Sequence, residues 1–249
     1  VTGLAAQYVS GSTVYCRPSL TGSFSVSATA SDGVSGVAWL TFPAPDGFSG
    51  GGAVAPQGTG STFTTTYSGS GNGAIASPGP QTLAAHDNAG YSPVLVGGFS
   101  IVSDTAGPVH VLSLTAATGG YLAGSTLYYN SNSSGSFRLL DTLADGGAGA
   151  ASVTYPLLNL SGWSHAMEVV TAPVGGPYPS STFSWSAHPS SPSTYAVTGT
   201  DNLGVVASTS FTFVSDQSPP SGGTITYPNG VRTVPSVPIT VTDGTDTQS

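Results

Sequence analysis

The sequence carries little charge of either sign, and almost none of it is positive. Charged residues make up 6% of the 249 residues, Lys is absent, and the only basic side chains are Arg17, Arg138 and Arg232. The formal net charge is -8 at pH 7. Binding to nucleic acid or to an anionic membrane surface depends on clusters of Lys and Arg. The composition therefore excludes nucleic acid as a partner and disfavours anionic membranes.

Long apolar runs are also lacking. No run approaches the roughly 18 residues that a membrane-spanning helix requires. The first ten residues, VTGLAAQYVS, do not place a charged region before an apolar one. We therefore expect no signal peptide, anchor or membrane insertion within this segment.

Cysteine occurs once, at Cys16, so a disulfide within the chain is excluded. We expect Cys16 to pack as a small residue against a strand. A bridge to another molecule is the alternative that a single thiol leaves open.

The sequence repeats with a period near 113 residues. Residues 8–43, YVSGSTVYCRPSLTGSFSVSATASDGVSGVAWLTFP, align without a gap with residues 121–156, YLAGSTLYYNSNSSGSFRLLDTLADGGAGAASVTYP. Matched pairs along the whole unit are Tyr8 and Tyr121, Tyr15 and Tyr128, Phe24 and Phe137, Asp32 and Asp145, Phe63 and Phe183, Asp87 and Asp201, and Asp104 and Asp216. The small changes of offset after Pro156 are typical of insertions in loops between strands that keep their register.

A third copy begins at GGTITYPNGVRTVPSVPITVTDGTDTQS, where Asp243 takes the place of Asp32. The repeat predicts one domain at residues 1–105, a second at 106–218, and the start of a third, incomplete domain at 219–249. We therefore expect this chain to be a segment of a longer repetitive protein.

The local pattern within each copy is that of β-strands. FSVSATA alternates so that Phe24, Val26, Ala28 and Ala30 share one face, which is the period of a half-buried strand. In the next strand Leu40 is predicted to point inward. Trp39 is predicted to point outward, because its counterpart in the second copy is Ser152.

Turn residues complete the prediction of the fold. The segments QTLAAHD and YAVTGTD lead into Asp-Asn-x-Gly turns, which favour tight hairpins because Asn and Gly accept left-handed backbone conformations. No segment has a capped helical stripe. Short strands separated by Gly, Pro, Asn and Asp indicate an all-β chain of β-sandwiches in series.

Three motifs resemble the bacterial immunoglobulin-like domains strung in tandem through large secreted and cell-surface proteins. That family has a D-x-x-S-G-V turn, a D-N-A-G-N turn and a V-D-x-T-A-P linker. The first turn is matched by residues 32–37, DGVSGV, and the second by residues 87–91, DNAGY, with Tyr91 where Asn is usual. The linker is matched by residues 102–108, VSDTAGP, in which Ser103 and Gly107 are additional.

The resemblance implies tandem immunoglobulin-like β-sandwiches and leaves the function open, because such modules serve as adhesin stalks, enzyme spacers and filament subunits alike. Our first hypothesis is a structural or adhesive extracellular segment that forms a stalk, filament or surface coat. Its expected partner is another copy of itself, through homotypic packing or strand completion by a neighbour. The alternatives are a carbohydrate- or receptor-binding module and a non-catalytic spacer of a secreted enzyme.

Calcium is the one cofactor that the sequence suggests. Hard cations prefer oxygen ligands, and Asp residues recur in the turns and linkers of both copies. We expect Asp87, Asn88 and Asp104 to gather at one junction. The full set of candidate ligands is Asp32, Asp87, Asn88, Asp104, Asp201 and Asp216. The same residues are also ordinary turn formers.

No segment predicts catalysis. GFSGG, around Ser49, formally fits a nucleophile motif but lacks the strand-turn-helix setting that the motif needs. In GWSHAMEVV, an acid pair built on Glu168 near Trp163 and His165 is less favoured than a β-hairpin loop that packs on its neighbour.

Two further features concern carbohydrates. Trp39, Trp163, Trp185 and Tyr178 are candidate rings for packing or for stacking on sugars, and stacking would require at least two rings on one open face. The sequons at Asn132 and Asn159 are candidate glycosylation sites on an exposed surface.

Overall fold

The computed structural model describes residues 2–56, 61–73, 75, 77–91, 94–231, 233 and 235–245, and their regular structure is entirely β. Among these residues, none forms a helix long and apolar enough to cross a membrane. The first unit has ten strands: β1 (Thr2–Ala5), β2 (Gln7–Ser10), β3 (Thr13–Cys16), β4 (Thr21–Thr29), β5 (Val37–Phe42), β6 (Phe48–Ser49), β7 (Gly52–Val54), β8 (Thr62–Ser70), β9 (Gly79–Asp87) and β10 (Val94–Ser103).

The second unit has eleven strands: β11 (Val109–Thr118), β12 (Gly120–Ala123), β13 (Thr126–Tyr129), β14 (Gly135–Ala144), β15 (Ala150–Tyr155), β16 (Trp163–Ser164), β17 (Glu168–Val170), β18 (Tyr178–Pro179), β19 (Phe183–Trp185), β20 (Tyr195–Asp201) and β21 (Val206–Ser215). Two strands follow: β22 (Thr224–Thr226) and β23 (Thr240–Thr242).

Both units have the same strand order. In the first, the sheets run β1-β4-β8-β6 and β2-β3-β10-β9-β5-β7; in the second they run β11-β14-β19-β16 and β12-β13-β21-β20-β15-β17, with β18 also on β14. Neighbouring strands are antiparallel except β3 with β10 and β13 with β21, which are parallel and occupy equivalent places. This is the predicted fold class, tandem immunoglobulin-like β-sandwiches.

The core of the first unit follows the predicted alternation. Phe24 and Leu40 are fully buried and Val26 nearly so, while Ala28 packs against the same cluster. Trp39 lies on the other face of its strand and is 39% exposed. The inward and outward assignments for β4 and β5 are therefore confirmed.

The second core is richer in aromatic rings. Phe183, the match of Phe63, is fully buried as Phe63 is. Its ring stacks on Phe137 at 4.7 Å, and Trp163 lies 5.3 Å from Trp185. Trp163 comes from the loop that lengthens this copy after Pro156, so the longer loop contributes to the core.

The Asp-Asn-x-Gly turns join strands as predicted. The Gly90 N–H points to the carbonyl of Asp87 at 3.5 Å, and the Gly204 N–H donates to the carbonyl of Asp201 at 3.1 Å. Both glycines have φ near +80°, a conformation that side chains with a Cβ adopt at a cost.

The third copy is represented by one pair of strands. Thr224 pairs with Thr242, as Val109 pairs with Ala144 in the second unit. Ile225 is 68% exposed. It occupies the register position of His110, which points into the second sandwich.

The thiol of Cys16 packs inside the first sandwich, as expected, with no exposed surface. Burial, and to a smaller extent the charge of Asp104, raises the pKa of Cys16 from 9.0 to about 11. Because the thiolate is the reactive form, the folded protein should react with a disulfide-exchange reagent at least about 100-fold more slowly than the unfolded chain. Labelling at pH 8 with and without denaturant measures this ratio, and equal rates would contradict the packing of β3.

Candidate metal centre

The linker after β10 inserts a carboxylate into the second sandwich. Asp104 remains tied to the first unit, because its N–H donates to the carbonyl of Cys16 at 2.9 Å. Its Oδ2 accepts the N–H of Ala148 at 2.6 Å. The side chain is only 6% exposed, so a residue of one unit is buried against the next.

Two loops of the second unit receive this carboxylate. Asp145 Oδ1 accepts the N–H groups of Gly147 at 2.8 Å and Gly149 at 2.9 Å. Asn202 donates its side-chain N–H groups to the carbonyls of Ala148 and Gly149, both at 2.9 Å. The Asn202 amide thereby holds the two loops together beside Asp104.

Asp201 holds the β20–β21 turn through backbone N–H groups, as Asp145 holds the loop before β15. Its Oδ1 accepts the N–H groups of Leu203 at 2.8 Å and Val205 at 2.7 Å. The residue is 2% exposed, and its Oδ2 is buried without a hydrogen-bond partner among the described residues. An unpaired buried carboxylate oxygen is costly, and either a proton or a bound cation would remove that cost.

The three carboxylates converge at the junction. Asp104, Asp145 and Asp201 each offer an oxygen, and these oxygens lie within 4.8 Å of one another. Burial raises the pKa of Asp201, and the negative charges of Asp104 and Asp145 raise it further. A hard divalent cation would relieve this repulsion, and carboxylate oxygens are the ligands that Ca²⁺ prefers. We call this cluster the junction centre.

Two more contacts hold the first unit and its linker against the second unit. Arg17 Nη1 donates to the carbonyl of Gly204 at 3.3 Å. Gly107 lies so close to Val206 that an added Cβ would be 2.6 Å from the Val206 carbonyl oxygen. The linker therefore has backbone as well as side-chain contacts with the second unit.

The sequence predicted only part of the junction centre. Asp104 and Asp201 were among the predicted ligands and belong to it. Asp145 also belongs to it but was not among them, although its match with the candidate Asp32 could have identified it. The expectation that Asp87 and Asn88 gather with Asp104 is wrong. Asp87 ends β9, and Asp104 follows its antiparallel neighbour β10, so the two residues lie at opposite ends of the sandwich.

The other candidate ligands form turns. Asp32 Oδ1 accepts the N–H groups of residues 34–36, which lowers the pKa of Asp32. Asp87 Oδ1 accepts the N–H groups of Ala89 and Tyr91, and Asn88 binds the carbonyls of residues 35 and 36. Asp216 Oδ1 accepts the Ser218 N–H at 3.1 Å. Among the described residues, the junction centre is the group whose ligand atoms converge.

Three of the four candidate rings for sugar stacking are buried. Trp163 and Trp185 are 3% exposed and Tyr178 is fully buried. The indole N–H of Trp163 donates to the carbonyl of Ser190 at 2.8 Å. These rings therefore pack the core, and a role as sugar platforms is wrong for them; Trp39 is the exposed member of the set.

The loop around Glu168 is a packing element. His165 stacks on Phe183 at 3.6 Å, and its Nε2 lies 3.2 Å from Glu168 Oε1. Glu168 Oε1 also accepts the N–H of Ser181 at 2.5 Å. These contacts favour the hairpin interpretation over an acid pair.

Three other predicted positions lie at the surface. The Ser49 hydroxyl donates to the carbonyl of Ser68 at 3.3 Å within the β6–β8 pair. Asn132 and Asn159 are both exposed, so the proposed glycosylation sites are accessible. Their modification stays a prediction.

The comparisons with known proteins found similar solved structures and no similar sequence family. No protein-family model and no curated protein matches the sequence. The chain is similar to the adhesin InvE of Yersinia pseudotuberculosis, with 13% identity and a TM-score of 0.25, over 81% of this chain and 56% of that one. It is also similar to extracellular cadherin domains 1–4 of protocadherin gamma B7, with 11% identity and a TM-score of 0.32, over 93% of this chain and 57% of that one. The chain thus spans little more than half the length of either structure.

Proposed function

We propose that this chain is a structural or adhesive segment of an extracellular protein, in which immunoglobulin-like units are held in series at fixed junctions. The observation that carries the proposal is the burial of Asp104 between the loops of the second unit. A flexible spacer needs no such contact, since a free linker side chain would remain in solvent. The function is passive: the units position whatever they connect, without turnover.

The junction centre is proposed to bind Ca²⁺. Three carboxylates supply part of the six to eight oxygen ligands that Ca²⁺ takes, and water or backbone carbonyls complete the shell. Mg²⁺ is less suited, because it demands a near-ideal octahedron and gives up its water reluctantly. Extracellular modules typically bind Ca²⁺ with Kd of about 10⁻⁴ to 10⁻³ M, which matches the proposed location outside the cell.

Self-association is proposed as the means by which such segments form a coat or filament. The net charge of -8 opposes association between copies, but only 6% of the residues are charged, so large parts of the surface are free of like-charge repulsion. Edge strands such as β11 carry exposed apolar residues, among them Val109 and Val111. Uncharged edges of this kind associate readily.

Calorimetric titration of the whole chain with CaCl₂ tests the metal proposal. Asp201→Asn should abolish binding, because the amide keeps the Oδ1 acceptor and removes the charge. Asp87→Asn is the matched control, since Asp87 makes the same turn contacts at the far end of the first unit. At 100 times Kd, Ca²⁺ should stabilise the protein by about 2.7 kcal/mol.

Small-angle X-ray scattering with Ca²⁺ and with chelator tests the structural proposal separately. A rigid, extended particle that loosens in chelator supports both proposals. A particle that is rigid in both conditions, with no heat of Ca²⁺ binding, rejects the metal and retains the structural role. Free motion between the units in both conditions rejects the fixed junction.

A further inference from the structure

The open face of the first unit's six-stranded sheet is built from aromatic and small uncharged residues, whereas the junction centre is acidic. The sheet alternates, so that the neighbours of buried Val14, Leu40, Leu83 and Ile101 point outward. We define the outer face by the outward residues Tyr8, Tyr15, Trp39, Thr41, Thr82, Ala84, His86, Ser100 and Val102. None of these described residues carries a permanent charge.

One end of the outer face is a stacked pair of rings. Trp39 on β5 and His86 on β9 are direct cross-strand partners. Their rings are 4.7 Å apart and 17° from parallel. His86 Nε2 lies 3.2 Å from the Thr41 hydroxyl, which orients the imidazole. The indole of Trp39 is therefore held against the imidazole, and 39% of the residue is exposed.

The other end carries a tyrosine pair. Tyr8 and Tyr15 face each other across the β2–β3 hairpin, with ring centroids 6.3 Å apart. Tyr15 pairs with Val102, next to the start of β9 at Gly79. From Gly79 to His86 the strand advances about 23 Å, at 3.3 Å per residue. Small side chains such as Ala84 and Ser100 lie between the two ends.

The second unit shows that the fold does not need the Trp–His pair. Ser152 and Thr200 are cross-strand partners at the positions of Trp39 and His86. The tyrosine pair, in contrast, recurs as Tyr121 and Tyr128. Of the two described units, the first therefore has the stacked pair and the second folds without it.

We propose that the outer face of the first unit binds a neutral polysaccharide chain. Sugar rings present apolar C–H faces that pack on aromatic rings, and Trp39 and the Tyr8–Tyr15 pair supply such rings at two points along an extended chain. The hydroxyls of Thr41 and Thr82 and the imidazole of His86 provide hydrogen bonds between them. The lack of charge matches a neutral ligand and gives an anionic polymer no partner.

A second protein fits this face less well. Protein interfaces depend on a central cluster of buried anchors in pockets, whereas the described rings here lie at the two ends of the outer face, with Thr82, Ala84 and Ser100 among the residues between them. Separated aromatic rings suit a long polymer, whose sugar units can contact each ring independently. The inference is additional to the structural role and does not depend on the metal.

Native gel electrophoresis of the whole chain in gels containing hydroxyethyl cellulose, galactomannan or amylopectin tests this proposal. Migration should be retarded by at least one polymer, and chelator should leave the retardation unchanged. Trp39→Ser, which copies the residue of the second unit, should weaken binding about tenfold. Tyr121→Ala, on the second unit, is the matched control and should bind as the wild type does.

Three outcomes would overturn the proposal. The first is no retardation by any of the three polymers. The second is equal retardation of the wild type and Trp39→Ser, with urea unfolding showing that both are folded. The third is a self-association, seen by sedimentation, that Trp39→Ser abolishes, because the outer face would then be a contact between copies.

Discussion

Gly147→Val should expel Asp104 from the junction centre. A Cβ at residue 147 would lie 2.8 Å from Asp104 Oδ1 and still closer to Oδ2 and Cγ. The N–H of Asp104 is held by the carbonyl of Cys16, so its side chain can make room only by giving up the bond from the Ala148 N–H. Loss of the charge-assisted bond to Ala148 alone costs about 1.5 to 3 kcal/mol of junction stability.

The repeat provides the rationale and the control for this change. The first unit has Val34 at the same position, and Val34 is 99% exposed. The loop itself therefore tolerates valine when no linker carboxylate packs against it. Scattering from Gly147→Val should show loosened units, and calorimetry should show no Ca²⁺ binding. Val34→Gly should alter neither measurement. An unchanged scattering profile for Gly147→Val would contradict the described position of Asp104.

Asp141→Ala should destabilise the second unit by about 3 to 5 kcal/mol. Asp141 is fully buried, and its Oδ2 lies 2.7 Å from Nδ1 of His110. Nε2 of His110 faces the carbonyl of Ala207 at 3.1 Å. Burial raises the pKa of Asp141, an effect that His110 opposes. Removing one partner of a buried pair leaves the other unpaired, which is the costly case.

The double variant His110→Ile/Asp141→Ala should recover most of that loss. Both replacements are taken from the repeat itself: the third unit has Ile225 at the position of His110, and the first has Ala28 at the position of Asp141. An apolar pair of similar volume restores packing without unpaired polar groups. Urea unfolding of both variants measures the difference. Equal destabilisation of the single and double variants would show that the pair itself stabilises the fold.

The fold was predictable because its signals are local and occur twice. Alternation in β4 placed Phe24 and Val26 inside, and the comparison of Trp39 with Ser152 identified the outward face of β5. Phe63 and Phe183 retained their places despite an insertion, since the strands kept register while loops changed length.

The junction centre was only partly predictable, because it depends on strand direction and on a second unit. The sequence shows that Asp87 and Asp104 recur. Because β9 and β10 are antiparallel, Asp87 and Asp104 lie at opposite ends of the sandwich. The carboxylate of Asp104 therefore contacts loops of the second unit instead of Asp87. The His110–Asp141 pair requires the exact register of β11 on β14, which no spacing in the sequence reveals. Burial of Trp163 depends on how a long loop folds back, which composition does not determine.

The parallel pairing of β3 with β10 and of β13 with β21 affects how the chain carries tensile load. Each pairing joins a strand near the start of a unit to the strand that ends it, over four residues. When the two ends of a parallel pair are pulled apart, the hydrogen bonds lie across the direction of force and are sheared together, whereas an antiparallel hairpin opens one bond at a time. Each sandwich therefore has a strand pair that resists stretching by shear, and in the second unit core side chains such as Tyr129 and Phe213 lie on that pair.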